Sequence, residues 1–482
     1  MDLCIETASG VVEGISAKSM KRWLGIPYAT AERFDLPRPV TRWSGVRNAT
    51  KLGAELPQAF GERMRINDPL VSEDALLLNI YVPEKPSTKP RPVFFWIHGG
   101  AFISGSSNIY DGTDLAIRGD MIVVTINYRL GVLGFVNFGD ALGMPQIPSN
   151  LGLRDQIAAL RWVKENIAAF GGDPNRVTIA GESAGSMSVS LLMLASEAWP
   201  YFHGAIMQSG AVSLIHSREK SIAVARRYCE ILDLKQGDLD RLRNFDLKTL
   251  FQTQAQVQKN QTGTIPAAPW FDGAFLPASL ADAHGAPTAN VPLVAGWNRE
   301  EVRLFEWMPG PRILPMNRAQ SAPLLYGQLE RSHAERILAA YPDTKKGNRA
   351  LATQLTFGMP TLHFAERQSR RAPTWHYRFD YSHFLFGAGH AVDLPFLFNF
   401  SRLAAAFIRG GPLSGKRLGL TRRMQDHWGH FVREGRPGDD WPRFDETRHA
   451  TKIFNLKDQT VDDPDRPQRR AWAGADVSPG VL

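Results

Sequence analysis

The sequence predicts an α/β protein built on a mostly parallel central sheet with helices on both faces. Several short runs are rich in β-branched and aromatic residues, and they are apolar throughout instead of alternating with polar residues. Strands that are buried on both faces of a sheet have this composition. Helical patterns lie between these runs, and strands that alternate with helices favour a parallel sheet. The predicted strands are Val93–Ile97, Ile122–Asn127, Val177–Ala180, Ala205–Gln208, Pro292–Ala295 and Trp375–Phe379.

The clearest predicted helix spans Leu153–Phe170. Its apolar residues Ile157, Leu160 and Val163 recur at the spacing of one helix face. Gly171 and the glycine after it end the pattern, as glycines commonly do just past the end of a helix. This segment is therefore expected to be one of the helices that cover the sheet.

The chain shows no internal repeat and no long low-complexity linker, so we predict one domain over residues 1–482. Length alone would suggest two or three domains, but α/β enzymes of this size often form one domain with insertions. The segments Ser213–Thr262 and Met308–Arg371 are more helical and polar, and we expect them to cap the active edge of the sheet. The stretch 458–482 is rich in Pro, Asp and Arg, which predicts a partly disordered tail.

Charge and residue usage predict no nucleic-acid partner, no metal and no cofactor. The net charge is +8, but basic and acidic residues are interspersed, whereas nucleic-acid binding needs a clustered basic footprint. His427 and His430 lie three residues apart in a helical segment, but two histidines are too few ligands for a metal ion. The chain has two cysteines, Cys4 and Cys229, and therefore no disulfide framework.

Nothing in the sequence predicts a membrane segment or a leader. No apolar stretch approaches the roughly 20 residues that span a bilayer. The N-terminus also lacks a basic segment followed by an apolar run. We therefore expect a cytoplasmic protein, a monomer or a homodimer, whose partner is a small molecule.

Residues 177–185 read Val-Thr-Ile-Ala-Gly-Glu-Ser-Ala-Gly, an apolar strand that runs into a G-x-S-x-G motif. Such a motif also occurs by chance, and a glycine-rich turn with an incidental serine is the alternative. Here an apolar strand precedes the motif and a helix follows it, which is the context of a nucleophile elbow. In that turn the hydroxyl of Ser183 stands clear of the sheet and the N–H of Ala184 faces the bound carbonyl.

A second motif predicts further hydrogen-bond donors for the same reaction. The strand that ends at residue 97 runs into the loop His-Gly-Gly-Ala-Phe. Small residues in such a loop let backbone amides approach a substrate oxygen to about 2.7–3.1 Å. We predict Gly100 and Ala101 as donors together with Ala184, with His98 and Gly99 supporting the loop. His98 is the weaker candidate for a catalytic base because it lies beside these glycines.

With these motifs the chain resembles the type-B carboxylesterase family, which includes bacterial para-nitrobenzyl esterases and, more distantly, the cholinesterases. The resemblance runs from about Gly10 to Trp472, and Glu182 before the serine is the family's own version of the elbow. The other matching segments are Leu24–Ala29, Arg33–Phe34, Ser72–Pro83, Asn127–Gly131, Asn150–Gln156 and Phe170–Pro174. The resemblance implies the α/β-hydrolase fold and the hydrolysis of carboxylic esters.

The resemblance also implies a catalytic triad in the order Ser, Glu, His. The segment 293–302 is similar to the family's acid motif and makes Glu301 the acid, with Glu300 as the competitor. Val302 stands where the family has glycine, so the turn after the acid is expected to differ.

The segment 387–393 is similar to the family's histidine motif and makes His390 the base, with Asp393 in the place of a glutamate. His390 would then take the proton of Ser183, and the serine would attack the ester carbonyl to form an acyl-enzyme. Glu301 would orient the imidazole and stabilise its cation.

Two departures from the family pattern bear on compartment and substrate. Family members often close a loop with a disulfide, and its positions here are Ala59 and Ala75. The missing bridge agrees with a reducing compartment. The same loop is short and has no tryptophan, whereas cholinesterases place their choline-binding tryptophan there. Choline esters are therefore not the expected substrates.

Several alternatives stay open at this point. Phe102, Phe384 and Phe386 are predicted either to line the substrate pocket or to fill the core. A lipase, or a hydrolase specialised for amides, carbamates or polyesters, is an alternative to a carboxylesterase. A binding protein without activity is a further alternative, which the presence of all three triad residues disfavours.

Arg33 with Glu73, and Arg129 with Asp155, resemble structural ion pairs of the family.

Overall fold

The computed structural model describes residues 3–17, 19–259, 265–308, 313–400, 406–407, 409–411 and 415–480. Sixteen strands lie within these residues, and eleven of them form one large sheet. The strands are Cys4–Thr7 (β1), Gly10–Glu13 (β2), Ile15–Ala17 (β3), Met20–Pro27 (β4), Val46–Asn48 (β5), Gln58–Phe60 (β6), Arg63–Arg65 (β7), Leu77–Pro83 (β8), Arg91–Ile97 (β9), Ile122–Ile126 (β10), Gly172–Glu182 (β11), Gly204–Gln208 (β12), Leu293–Asn298 (β13), Thr374–Phe379 (β14), Ala450–Phe454 (β15) and Gln459–Asp462 (β16).

A helix follows each strand from β9 to β14. The α-helices are Thr113–Gly119 (α1), Gly131–Phe135 (α2), Phe138–Ala141 (α3), Leu151–Asn166 (α4), Ala184–Leu194 (α5), Arg218–Leu232 (α6), Leu239–Asn244 (α7), Leu247–Lys259 (α8), Leu280–Gly285 (α9), Val302–Phe305 (α10), Arg318–Tyr326 (α11), Arg331–Ala339 (α12), Lys345–Thr353 (α13), Met359–Ser369 (α14), Gly415–Glu434 (α15) and Arg466–Trp472 (α16). Short 3₁₀ helices span Ser107–Ile109, Ile167–Phe170, Ser196–Tyr201 and Leu394–Phe396, and a π-helical turn spans Gln354–Gly358. No helix in the described ranges is long and apolar enough to cross a membrane.

The central sheet is parallel in its middle and antiparallel at both edges. Its strand order is β16-β15-β14-β13-β12-β11-β9-β10-β8-β4-β3. Neighbours from β15 to β10 pair in parallel, whereas β16 and the strands from β8 onward pair antiparallel. The prediction of a mostly parallel sheet is confirmed. All six predicted strands lie within observed ones, except that Pro292 and Asn127 fall just outside.

Side chains from β9 show why the predicted strands are apolar at every position. Phe95 and Ile97 pack into one hydrophobic cluster, and Phe94 and Trp96 pack into another. All four side chains are fully buried. Since successive residues of a strand point to opposite faces, both faces of the sheet are covered.

The predicted helix 153–170 is observed as α4 with a 3₁₀ turn at its end. The chain leaves this turn at Gly171, which has a φ of +83° in the left-handed region. Such a conformation costs little for glycine and more for other residues. The sequence signal therefore placed the end of the helical segment correctly.

Both predicted insertions are helical. The first contains α6, α7 and α8, and its last three residues, 260–262, lie outside the described residues. The second contains α11 to α14 with the π-helical turn. Its residues 309–312 likewise lie outside the described residues. The first insertion contacts α2 through Gln254, whose Oε1 accepts a hydrogen bond of 2.8 Å from the N–H of Val132.

The structure differs from the expectation of a partly disordered tail over 458–482. It places β16 and α16 there, and describes the chain as far as residue 480. The charged residues that suggested disorder form ion pairs instead, since Asp465 lies 2.9 Å from Arg378. Trp472 is buried and donates a hydrogen bond of 2.8 Å to the hydroxyl of Tyr341.

Both expected structural ion pairs are present. Arg33 contacts both carboxylate oxygens of Glu73 at 2.6 Å. Arg129 contacts the two carboxylate oxygens of Asp155 at 2.7 and 2.8 Å, and this pair is almost fully buried. Arg129 also donates to the carbonyl of Asp35 at 2.7 Å. The second pair therefore fixes the loop after β10 to α4.

We expect Asp155→Asn to lower the free energy of unfolding by about 3–5 kcal/mol, because it leaves the buried guanidinium of Arg129 without its counter-charge. The midpoint of urea denaturation measures the loss. Glu335→Gln is the control, since Glu335 pairs with Arg331 at an exposed site and should leave the midpoint unchanged. Equal midpoints for the two variants would contradict the structural role of the buried pair.

Candidate active site

Ser183 lies in a tight turn between β11 and α5. Its backbone has φ 58° and ψ −125°, a strained conformation for a residue with a side chain. The turn requires two glycines, because a Cβ atom on Gly185 would overlap the carbonyl oxygen of Ile97 and one on Gly181 would overlap the backbone of Gly185. The predicted elbow geometry is therefore present around the serine.

The loop after β9 has an unusual backbone as well. Gly100, Ala101 and Phe102 have φ values of 118°, 56° and 62°. The carbonyl of Gly100 accepts hydrogen bonds from the N–H groups of Ile103 at 3.1 Å and Ser104 at 3.0 Å, which closes the loop. These conformations turn the loop's amides away from the usual helix or sheet partners.

The loop and the elbow touch each other. A Cβ atom on Gly99 would lie 3.0 Å from the Cβ of Ser183 and 2.9 Å from Oε2 of Glu182, so a larger residue would not fit. Within the described part of the chain, the N–H groups of Gly100, Ala101 and Ala184 donate to no carbonyl or side chain. Three free donors therefore lie in the two segments that meet at the serine.

His390 and Glu301 form a short buried hydrogen bond. Nδ1 of His390 lies 2.6 Å from Oε2 of Glu301, and the carboxylate is fully buried. The other carboxylate oxygen accepts a 2.6 Å hydrogen bond from the N–H of Asn298, at the end of β13. The N–H of His390 also donates to the carbonyl of Glu301 at 3.1 Å. Both the backbone and the side chains thus join the acid to the imidazole.

Glu300, the competing acid, points elsewhere. Its carboxylate pairs with Arg303 at 3.3 Å and accepts a hydrogen bond of 3.2 Å from the N–H of Ala388. It therefore holds the loop that carries His390 without contacting the imidazole. Val302, which replaces the family glycine, begins α10 and is fully buried, and its N–H reaches the hydroxyl of Thr353 at 3.4 Å.

Glu182 contributes a second carboxylate on the opposite side of the imidazole. Its Oε1 lies 3.1 Å from Nε2 of His390, at an angle that does not make a hydrogen bond. Burial raises the pKa of Glu182 to about 8, although the positive charge of His390 opposes this rise. Burial lowers the pKa of His390, but Glu182, Glu301 and Asp393 more than offset it and raise that pKa to about 9. These carboxylates favour the imidazolium.

Asp393 is a buried carboxylate that sequence reasoning treated only as a replacement in a motif. It accepts hydrogen bonds from Gln208 at 2.7 Å and from Asn298 at 3.1 Å. Gln208 in turn accepts a 3.0 Å hydrogen bond from the indole of Trp428. Burial raises the pKa of Asp393. The aspartate therefore ties the strands β12 and β13 to the segment after His390.

Two aromatic rings that the sequence analysis missed flank the imidazole. The ring centroids of Phe305 and Phe357 lie 5.1 and 4.8 Å from that of His390. Phe357 belongs to the π-helical turn of the second insertion, and such turns are frequent at functional sites. No sequence motif marks these residues. The second insertion brings Phe357 to the imidazole, and the four-residue helix α10 brings Phe305.

The three phenylalanines predicted for the pocket have different environments. Phe102 is fully buried and packs on Phe135 at 5.1 Å between ring centroids. Phe386 is half-buried and stacks on His383 at 4.7 Å. Phe384 is 71% exposed and contacts the same histidine. Phe384 therefore belongs to the surface beside the loop of His390, and its role in a pocket stays a prediction.

His98 has the environment of a structural residue. Its Nδ1 is hydrogen-bonded to the carbonyl of Gly99 at 2.8 Å, and its ring stacks on Tyr128 at 4.5 Å. Burial lowers its pKa to about 4. A neutral imidazole held in this way supports the glycine loop, and no described contact joins it to Ser183.

The histidines considered as metal ligands also have ordinary partners. Nδ1 of His427 lies 2.7 Å from the carbonyl of Pro437, and Nδ1 of His430 lies 2.6 Å from that of Arg436. The described ranges hold no group of three or more His, Cys, Asp or Glu side chains arranged for a metal ion.

An elbow serine at the edge of a parallel sheet, with a buried acid–histidine pair, defines a hydrolase of the serine type. A family model described as the carboxylesterase family matches residues 1–472. The chain belongs to the carboxylesterase family. This membership establishes it as a carboxylic ester hydrolase.

Individual relatives support the same assignment over nearly the whole chain. A para-nitrobenzyl esterase from Bacillus subtilis (strain 168) is 35% identical, covering 97% of this chain and 97% of its own length. A human cocaine esterase is 33% identical, covering 92% of this chain and 85% of its own.

Solved structures show the same fold. A para-nitrobenzyl esterase structure superposes with a TM-score of 0.88 at 32% identity, covering 98% of this chain and 99% of its own. A carboxylesterase from Geobacillus stearothermophilus superposes with a TM-score of 0.81 at 34% identity, covering 98% of this chain and all of its own. The α/β-hydrolase fold implied by the motifs is confirmed.

The carboxylates around His390 predict a specific effect of pH. We expect His390 to act as a base in its neutral form, so kcat/KM should rise as pH increases through the pKa of His390. We expect Glu182→Gln to move this rise to lower pH, because it removes a negative charge that stabilises the imidazolium. Profiles of kcat/KM against pH test this. Asp140→Asn, which removes a carboxylate paired with Arg218, is the control and should not move the profile. A profile unchanged in Glu182→Gln would contradict the coupling.

Proposed function

We propose that the chain hydrolyses carboxylic esters through an acyl-enzyme on Ser183. His390 takes the proton of the serine hydroxyl, and the serine oxygen attacks the ester carbonyl. The protonated imidazole then gives its proton to the leaving alcohol. Water, activated by the same imidazole, attacks the acyl-enzyme and releases the acid.

The N–H groups of Gly100, Ala101 and Ala184 would stabilise the oxyanion of each tetrahedral intermediate. Their lack of other described partners supports this role, since an oxyanion hole needs donors that are free and fixed in advance. The donors come from backbone segments whose positive φ values and close glycine contacts hold them in place.

The observation that carries the proposal is the 2.6 Å hydrogen bond between Glu301 and His390. A buried carboxylate on Nδ1 fixes the tautomer in which Nε2 is free to accept the serine proton, and it stabilises the cation that forms. Glu182, near Nε2, would stabilise the same cation. The proposed mechanism uses no metal ion and no cofactor.

The substrates we propose are esters of small uncharged acids and alcohols, including para-nitrobenzyl esters, after the relative of that name. Phe305 and Phe357 beside the imidazole would give the reacting ester apolar contacts on this side.

The shared sheet suggests that residues 1–482 act as one domain. A chain with only two cysteines, Cys4 and Cys229, agrees with a cytoplasmic setting, and a monomer or homodimer remains our expectation.

Para-nitrophenyl esters from acetate to palmitate test the proposed reaction. We expect turnover to be highest on short acyl chains and to fall by at least about 10³-fold in Ser183→Ala, because the nucleophile is lost. Circular dichroism confirms that the variant is folded. Turnover that peaks on palmitate and depends on a lipid–water interface would favour a lipase, and undiminished turnover in the variant would refute the nucleophile.

The neighbouring glutamates provide a matched test of the acid. We expect Glu301→Gln to lower kcat by about 10³–10⁴-fold, because the imidazole loses the carboxylate that orients it. Glu300→Gln should have a much smaller effect, since Glu300 contacts the loop but not the imidazole. The reverse order of the two losses would transfer the role of acid to Glu300.

A further inference from the structure

One cavity lies outside the active site, beside α14. Its volume is about 340 Å³, which falls in the range of small-ligand pockets. The walls come from His284 at the end of α9, from one face of α14, from Arg469 on α16 and from residues 473–476. Most of the side chains that line it are charged or can become charged.

Several of these charges already have partners. Asp476 lies 2.6 Å from Nδ1 of His284. Arg469 pairs with Asp463 at 2.8 Å. These residues therefore hold the walls together without leaving a free charge.

The same holds for Glu366 on α14 and for Arg370, which directly follows this helix. Glu366 lies 2.9 Å from Nε2 of His449, whose side chain is buried. Arg370 pairs with Glu446 at the surface. The carboxylates of the cavity wall are thus engaged by histidines, which leaves little negative charge for a further cation.

Arg367 lines the cavity without an ion pair among the described residues. One terminal nitrogen donates to the carbonyl of Ala283, and the guanidinium lies over the ring of Phe364 at 4.7 Å. Its Nε and its other terminal nitrogen are buried and have no hydrogen-bond partner. No carboxylate in the described residues lies within 4.0 Å of it. Buried polar groups in folded proteins rarely stay without partners.

The surroundings of Arg367 also disfavour its positive charge. Burial, and next the positive charge of Arg371, lower the pKa of Arg367 to about 10, although Asp476 opposes the change. A guanidinium presents its donors in a planar fork that fits carboxylate and phosphate groups. The group that would complete this site is therefore an oxyanion.

We propose that this cavity binds a small anion through its carboxylate or phosphate group, with Arg367 as the principal ligand. His363, one helical turn away on the same face of α14, would contribute a further polar contact. The site is separate from the catalytic residues. Arg367 lies eight residues along α14 from Met359, or about 12 Å of helix, and the π-helical turn with Phe357 precedes Met359.

Isothermal titration calorimetry with inorganic phosphate and with benzoate tests the proposal and separates the two anion classes. Chloride at equal ionic strength provides the blank. We expect one of the two probes to bind, and Arg367→Met to weaken its binding at least about tenfold, because the charged donors are lost. Arg371→Met is the matched control, since Arg371 is an exposed neighbour that does not line the cavity.

Each outcome decides the matter. Binding that is lost in Arg367→Met and kept in Arg371→Met supports the site, and the preferred probe identifies its anion class. Binding that persists in Arg367→Met, for example benzoate held in the active site, overturns it. Absence of binding to either probe overturns it as well. Thermal unfolding of the empty variants shows that both are folded, and ester turnover in them checks that the active site is intact.

Discussion

The parallel pairing of β9 with β11 is the constraint on which the active site depends. Gly181 of β11 pairs with Ile97 of β9, so both strands end at the same edge of the sheet. The glycine loop and the serine elbow leave from that edge side by side. Because the two backbones nearly touch, glycine is required at residues 99, 181 and 185. The sheet therefore brings Ser183, the proposed nucleophile, and the proposed oxyanion donors together before any substrate is bound.

A cluster of buried charge is the second constraint. Glu182, Glu301 and Asp393 are each nearly or fully buried around one imidazole. Burying an isolated carboxylate costs several kcal/mol, so hydrogen bonds from Asn298, Gln208 and backbone amides are needed to hold this arrangement. The same negative charge would stabilise the imidazolium that forms as the serine attacks. The carboxylates that are costly to bury are thus the same groups that would favour catalysis.

The limits of sequence reasoning here follow from physical causes. The elbow, the glycine loop and the fully buried strands have local signatures, because tight turns demand glycine and covered strands demand apolar residues. Phe305 and Phe357 have none, since their position beside His390 depends on how α10 and the second insertion pack. The tail was misleading for a similar reason, because ion pairs such as Asp465 with Arg378 cannot be read from composition.

In the proposed reaction the ester's acyl group passes through Ser183. The most direct test is to quench the enzyme during turnover of a slowly hydrolysed ester and to locate the bound acyl group by peptide mass spectrometry. We predict an acyl group on the peptide that contains Ser183, appearing and disappearing at rates compatible with turnover. An acyl group on another residue, or turnover with no acylated peptide at any time, would contradict it.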